Sequence, residues 1–228
     1  MLAIVIPAFN EAVSIGPTVK SLKKSFPKAK LIVVNDGSTD GTKTIALKSG
    51  AIVYSHIINR GLGAALGTGI KAALKEGASV VVTFDADLQH EAADIRRLIR
   101  PIEDRRADAV IGSRFMKQED LHAMPKLKVF GNKMLTSLTN LLAGSDITDS
   151  QSGLRAFDRV AAQKLLILCD RYDVSSEIVH ELSMNRLKVI EIPIKAIYDE
   201  RSKRKGTNVW SGAHITWGIV LRRLGLKK

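Results

Sequence analysis

Asp85, Asp87 and Gln89 occupy alternate positions directly after the apolar run Val80–Phe84. In an extended turn that spacing lets the three side-chain oxygens point the same way. Hard oxygen donors on a short loop suit Mg²⁺ or Mn²⁺ that is also held by the phosphates of a ligand. The competing reading has Asp85 capping a helix over Glu91–Ile102 and Asp87 merely solvated. Asp36 ends the run Leu31–Asn35 within N-D-G-S-T-D-G-T. A carboxylate there can accept from a ribose hydroxyl or a base N–H, or it can form an Asx turn with a helix cap. Glu11 follows Leu2–Pro7, with Pro7 fixing the loop Ala8-Phe9-Asn10-Glu11. Three acidic loop ends converging on one sheet edge are hard to explain as three independent caps.

The elements that must carry these residues alternate. Leu2–Pro7, Leu31–Asn35, Ala51–Ser55, Val80–Phe84 and Ala107–Gly112 read as buried strands. Helical patterns run from Ser14 or Asn10, as cap, to about Ser25, then to about Ser49, over Leu62–Glu76 and over Glu91–Ile102. Strands separated by helices of 10–15 residues mean right-handed βαβ units and a mainly parallel sheet. Gly61-Leu62-Gly63 with Gly67 and Gly69 is not a dinucleotide fingerprint. It reads as close helix–strand packing, with a helix N-terminus available to a phosphate. Beyond Phe115, Leu127–Ala143 is a long amphipathic helix with Lys126, Lys128 and Lys133 near its start. Leu154–Phe157 and Val189–Pro193 are added strands, with helices near Val160–Cys169 and Ser176–Arg186. The expected organisation is one α/β domain over 1–206 and a basic amphipathic helix over 207–228. That helix, with Trp210 and Trp217, packs on the domain or lies at a membrane surface.

Composition narrows the partners. Lys+Arg 35 against Asp+Glu 23 gives a net charge of +12, which favours anionic partners: nucleic acid, an anionic membrane or phosphorylated substrates. Aromatic residues are 5%, too few for stacking platforms that bind single strands. The lone Cys169 excludes an internal disulfide and a cysteine metal cluster, and the five histidines lack zinc spacing. Met1–Pro7 carries no signal-peptide pattern, and no stretch reaches the ~18–20 apolar residues of a spanning helix. The expected location is cytoplasmic, peripheral on the cytoplasmic membrane face.

The motifs I-P-A-F-N-E-A, V-N-D-G-S-T-D-G-T, N-R-G-L-G-A-A, D-A-D-L-Q-H, G-S-R-F and D-S-Q-S-G-L-R-A-F come in that order. Together they resemble family 2 glycosyltransferases of the GT-A fold, and within them the dolichol-phosphate mannose and glucose synthases. The resemblance spans roughly residues 3–205. It implies a GT-A (Rossmann-like) domain that inverts the anomeric carbon while moving a hexose from GDP-mannose or UDP-glucose to a polyprenyl (dolichyl) phosphate. By motif position, Pro7, Phe9, Glu11 and Asp36 would hold the nucleoside, and Asp85, Asp87 and Gln89 the metal and diphosphate. Arg114 would meet the phosphates of donor or acceptor, with Lys126, Lys128 and Arg155 on the acceptor side. The basic stretch Tyr198–Gly206, with Arg201 and Lys203, resembles the family's mobile loop over the donor.

Two departures bear on the acceptor. Lys126 and Lys128 stand where relatives often carry arginines, and lysine binds phosphate without the bidentate fork. The carboxyl-terminal transmembrane helices of many relatives are absent, so the prenyl chain must meet Leu127–Ala143, Asn208–Leu226 or a membrane-anchoring partner. A phosphate monoester is largely doubly ionised at neutral pH and attacks without a base. Transfer to a glycan hydroxyl would need one, for which Asp149 is the candidate and Glu177 a poorer one; Asp149 equally suits orienting Arg155 or capping a turn. A sugar nucleotidyltransferase lacks its signature loop here. A nucleic-acid binder is suggested by the charge alone.

Overall fold

Alternate residues of the first strand, β1 (Leu2–Ala8), enter two different cores. Ala3 and Val5 join one cluster, Ile4 and Ile6 the other, and all four are buried. This two-sided burial is what a parallel sheet covered by helices on both faces requires. In the computed structural model, residues 1–117, 124–168, 174–195 and 197 are described.

Helix α1 (Ile15–Ser25) leads to β2 (Lys30–Asp36), α2 (Thr42–Lys48) to β3 (Ile52–His56), and α3 (Leu62–Lys75) to β4 (Val80–Thr83). Then follow α4 (Ala92–Glu103), β5 (Ala109–Ser113), α5 (Lys126–Ala143), β6 (Arg155–Asp158), α6 (Arg159–Lys164), α7 (Val174–Met184) and β7 (Val189–Pro193). The sheet has the order β3-β2-β1-β4-β6-β5-β7. Residues of α1 and α4 pack in the core beneath one face, and residues of α3, α6 and α7 beneath the other. Gly69 on α3 lets that helix approach β1 closely: a Cβ there would stand 2.2 Å from Val5 Cγ1. The close helix–strand packing expected of these glycines is met at Gly69.

The sheet is mainly parallel, but β6 runs antiparallel between β4 and β5, a reversal the spacing of strands and helices does not foretell. Its direction matters for the site. A parallel strand delivers to the carboxyl edge the residues that follow it, whereas β6 delivers those that precede it, 149–154.

Local differences have local causes. Ser14 precedes α1 but does not cap it; its hydroxyl donates to Glu11 Oε2 at 2.5 Å. Asn10, the other cap candidate, takes a left-handed φ of 54° and uses its Oδ1 to accept from Thr39 N at 2.9 Å. Helix α6 stops at Lys164 rather than near Cys169, because Leu165 turns to extended backbone. The amides of Leu166 and Leu168 then donate to Glu181 and Glu177. Cys169, the basic stretch with Arg201 and Lys203, and the expected helix over 207–228 lie outside the described residues. Among the described residues no helix is long and apolar enough to cross a membrane.

Candidate active site

Strands β2, β1 and β4 are adjacent and parallel, with Ala8 opposite Asn35 and Val5 opposite Thr83. Their carboxyl ends therefore release Asp36, Glu11 and the Asp85–Gln89 loop along one edge. Strand β5 points the same way, so Arg114 emerges there too, and Arg155 at the start of β6 lies opposite both Thr83 and Ile111. These acidic and basic groups come from five strands.

Asp85 is seated on a glycine. A Cβ on Gly153 would stand 2.0 Å from Asp85 Oδ2, and Thr83 Oγ1 donates to Gly153 O at 2.7 Å, which fixes that glycine against the end of β4. His90 Nε2 lies 3.4 Å from the same Oδ2, and the His90 ring packs edge-on to Phe84. Burial pushes the Asp85 carboxyl up, but His90, Arg155 and Arg114 outweigh it and hold the group below the usual carboxylate value. Asp85 does not cap α4; Glu91 occupies that position.

Asp87 goes the other way. Burial first, then the charges of Asp85 and Glu11, push its carboxyl up to about 6, against a bond from Gln89 N at 3.1 Å and the nearby His90. The acidic loop ends expected together, Glu11, Asp36 and the Asp85–Asp87 turn, follow three neighbouring parallel strands and lie along one edge. Between Asp87 and Gln89, Leu88 adopts a φ of 65°, an uncommon conformation for a bulky residue. Thr18 on α1 ties the loop down by donating to Ala86 O at 3.2 Å. The donor chemistry fits a hard divalent cation: two ionisable carboxylates on one turn. Among the described residues no group of three or more acidic, histidine or cysteine side chains could hold a metal. A cation held by Asp85 and Asp87 would take its remaining ligands from bound phosphates and water.

Asp36 is buried and already occupied. Its Oδ1 meets His56 Nδ1 at 2.6 Å and accepts from Arg60 N at 2.9 Å, while Oδ2 accepts from Gly61 N at 2.7 Å. His56 is braced behind by Thr68 Oγ1 at 2.9 Å. Asp36 thus joins the loops after β2 and β3. It does not cap α2, whose N-cap is Gly41; Asp40, one residue earlier, accepts from Thr42 N at 3.0 Å. Glu11 is held by Ser14, and its own amide donates to Thr42 Oγ1 at 2.8 Å. Pro7 lies within β1, and Phe9 is exposed at the mouth of the edge.

The basic side is built on a buried pair. Arg114 donates from Nε to Asp149 Oδ2 at 2.7 Å and from Nη2 to Oδ1 at 2.9 Å, and its backbone N donates to Oδ2 at 3.1 Å. Asp149 is 0% exposed. Both its oxygens serve Arg114, which answers the open question of what Asp149 orients: Arg114 rather than Arg155. Arg155 is 1% exposed and donates to Ser150 O at 2.8 Å, so it underlies the site instead of reaching its surface. Burial lowers its guanidinium to about 10, even with Asp85 and Asp149 nearby to raise it. Lys128, in the first turn of α5, faces this cluster: burial and the Arg114 charge lower its amine, and Asp87 raises it. Lys126 is exposed, and Glu177 is buried on α7, where it accepts from Leu168 N.

Four contributors escape a reading by residue type: Gly153, His56, His90 and Thr83. Gly153 sits inside D-S-Q-S-G-L-R-A-F, so its motif was visible but its partner was not. His56 and His90 stand apart from any histidine pattern, because each pairs with an aspartate from elsewhere in the chain or across a turn.

A mainly parallel sheet with acidic tips on one edge and a buried guanidinium beside them is the framework of a GT-A-like transferase. The sequence pattern described as glycosyl transferase family 2 matches residues 3–166, and the chain belongs to that family. It is 47% identical over 223 residues to an uncharacterised protein of Methanocaldococcus jannaschii, covering 97% of this chain and 91% of that one. It is 36% identical over 244 residues to the UDP-N-acetylglucosamine–dolichyl-phosphate N-acetylglucosaminyltransferase of Methanococcus voltae, covering 99% and 97% of the two chains. Its fold matches glucosyl-3-phosphoglycerate synthase of Mycobacterium tuberculosis, solved with Mn²⁺, UDP-glucose and phosphoglyceric acid. There the TM-score is 0.73 at 20% identity, over 100% of this chain and 81% of that one.

Proposed function

We propose that this protein transfers a sugar, with inversion at the anomeric carbon, from a nucleotide-sugar to a polyprenyl phosphate such as dolichyl phosphate at a membrane surface. One observation carries the reading: Asp87, whose carboxyl is raised by burial and then by its acidic neighbours, shares a site with the cations Arg114 and Lys128. Such a site offers one half to a cation-bound diphosphate and the other to a second phosphate.

Pro7 at the end of β1, Phe9 and Glu11 beyond it, and Asp36 take the nucleoside. Asp85, Asp87 and Gln89 take Mg²⁺ or Mn²⁺ together with the diphosphate, whose developing charge the cation offsets by several kcal/mol of barrier. Arg114, its plane locked by Asp149, and Lys128 orient the acceptor phosphate, with exposed Lys126 at the entrance. Because that phosphate attacks as a dianion, no base is needed. A glycan hydroxyl would need one, and the engagement of both Asp149 oxygens by Arg114 favours the phosphate.

Helix α5 supports a lipid acceptor. Leu127 is 68% exposed, Phe130 67%, Met134 50% and Leu141 74%. At 100° per residue these fall in one stripe, which starts beside Lys128 and runs away from the site. Its buried side is partly polar, with Thr136 and Thr139. A helix with apolar residues turned outward suits a prenyl chain or the membrane holding it.

The test is direct. The full chain is incubated with GDP-mannose, UDP-glucose or UDP-N-acetylglucosamine, Mn²⁺ and prenyl phosphate in vesicles. One donor should yield a sugar-phosphate lipid, and prenyl alcohol should yield none. Wild-type turnover by Asp87→Ala, or equal turnover with prenyl alcohol, would overturn the reading. Turnover that appears only with added membrane protein would indicate an anchoring partner.

A further inference from the structure

Behind Asp149 stands a carboxylate with no part in the reaction described above. Glu191 lies on β7, at the edge of the sheet, opposite Ile111 of β5. Its Oε2 accepts from Thr148 N at 2.8 Å; its Oε1 accepts from Thr148 Oγ1 at 2.9 Å and Asp149 N at 3.1 Å. Thr148 Oγ1 also meets Ser113 Oγ at 2.6 Å. Since Thr148 donates its hydroxyl hydrogen to Glu191, Ser113 is the donor in that pair, and Ser113 Oγ accepts in turn from Phe115 N at 3.2 Å. This frame encloses Arg114 from both directions. Ser113 and Phe115 flank it along the chain, and Asp149 grips it from across the edge.

We propose that Glu191 is a positioning residue for Arg114: it fixes the Thr148–Asp149 turn and, through Asp149, the plane of the guanidinium. The inference rests on the phosphate-binding role read for Arg114. Three donors converge on the Glu191 carboxylate, a task for an acceptor-only group. A carboxamide of the same size turns an NH₂ toward at least one of those donors, so one contact becomes repulsive. The turn can then shift without loss of a core side chain. A guanidinium displaced by a fraction of an ångström loses alignment with the reacting phosphate, and positioned groups tolerate such errors poorly.

The experiment uses the full chain with its working nucleotide-sugar, Mn²⁺ and vesicle-borne prenyl phosphate. Glu191→Gln should lower kcat about tenfold, as loss of an outer orienting partner commonly does, and leave the KM for the nucleotide-sugar unchanged. The double variant Glu191→Gln/Arg114→Ala should be no slower than Arg114→Ala, because no guanidinium remains to be positioned. Should Glu191→Gln fail to fold, Thr148→Val removes the same hydroxyl bonds and is judged by the same criteria. Full kcat in Glu191→Gln while Arg114→Ala is slow would overturn this proposal alone, as would losses that multiply in the double variant. Wild-type kcat in Arg114→Ala would remove the Arg114 reading and this inference with it.

Discussion

The carboxylate of Asp85 rests on the Cα of Gly153, so close that a methyl group there would meet Oδ2 at 2.0 Å. Two loops far apart in sequence therefore share one volume. Replacing Gly153 by alanine must displace Asp85, whose short side chain has few rotamers to retreat into. Gly153→Ala should weaken divalent-cation affinity and kcat by on the order of tenfold or more. Titration of Mn²⁺ by electron paramagnetic resonance, beside steady-state kinetics, checks it; unchanged affinity would show that Asp85 does not need its seat.

Asp87 predicts a stability that runs against function. Its carboxyl is raised from 3.8 to about 6, so between those values the folded chain binds more protons than the unfolded one. Stability contributed by the protonated form is present below the unfolded pKa and is lost as pH rises through about 6. In the absence of divalent cations, Asp87→Asn should be more stable than the wild type at pH 7, by on the order of 2 kcal/mol. The gain should vanish near pH 4, with transfer activity abolished throughout. Urea unfolding at both pH values measures it.

His56 predicts coupling between the nucleoside side and the fold. It is the side chain holding Asp36 Oδ1 at 2.6 Å, braced by Thr68. His56→Ala leaves a buried carboxylate with backbone partners only. The cost should be about 1–3 kcal/mol in urea unfolding, with a raised KM for the nucleotide-sugar. A lower stability with unchanged KM would confine His56 to packing.

Helix α5 predicts a split between acceptors. Leu127→Glu with Phe130→Glu alters exposed positions, so thermal stability should hold within about 0.5 kcal/mol. Turnover of long-chain prenyl phosphate in vesicles should fall at least severalfold, while a water-soluble short-chain prenyl phosphate retains its rate. Equal loss on both acceptors would place the effect in the site and not on the lipid face.

How much of this was legible without coordinates follows from where the information sits. Strand β4 and its D-A-D-L-Q-H turn are local: β-branched residues make the strand, and alternate polar residues make the turn. The parallel direction of β1, β2 and β4 follows from helices of ordinary length between them, so the gathering of Glu11, Asp36 and the Asp85–Asp87 turn on one edge was within reach. Asp36 was legible as a loop-end carboxylate but not as one already bonded to His56, Arg60 and Gly61, since those contacts depend on how β3 pairs with β2. The basic side was readable only in outline. Arg114 and Asp149 are separated by α5, and nothing in their spacing says that they pair or that Arg155 is buried beneath them.

Residue type and alternation alone determined the strands, the helices and the acidic tips, because burial periodicity and turn chemistry act over a few neighbouring positions. Tertiary structure alone decided that β6 runs antiparallel. That direction brings residues 149–153 over the edge from behind, seats Asp85 on Gly153 and closes Asp149 on Arg114, since strand direction is settled by pairing between distant segments and not by any one of them.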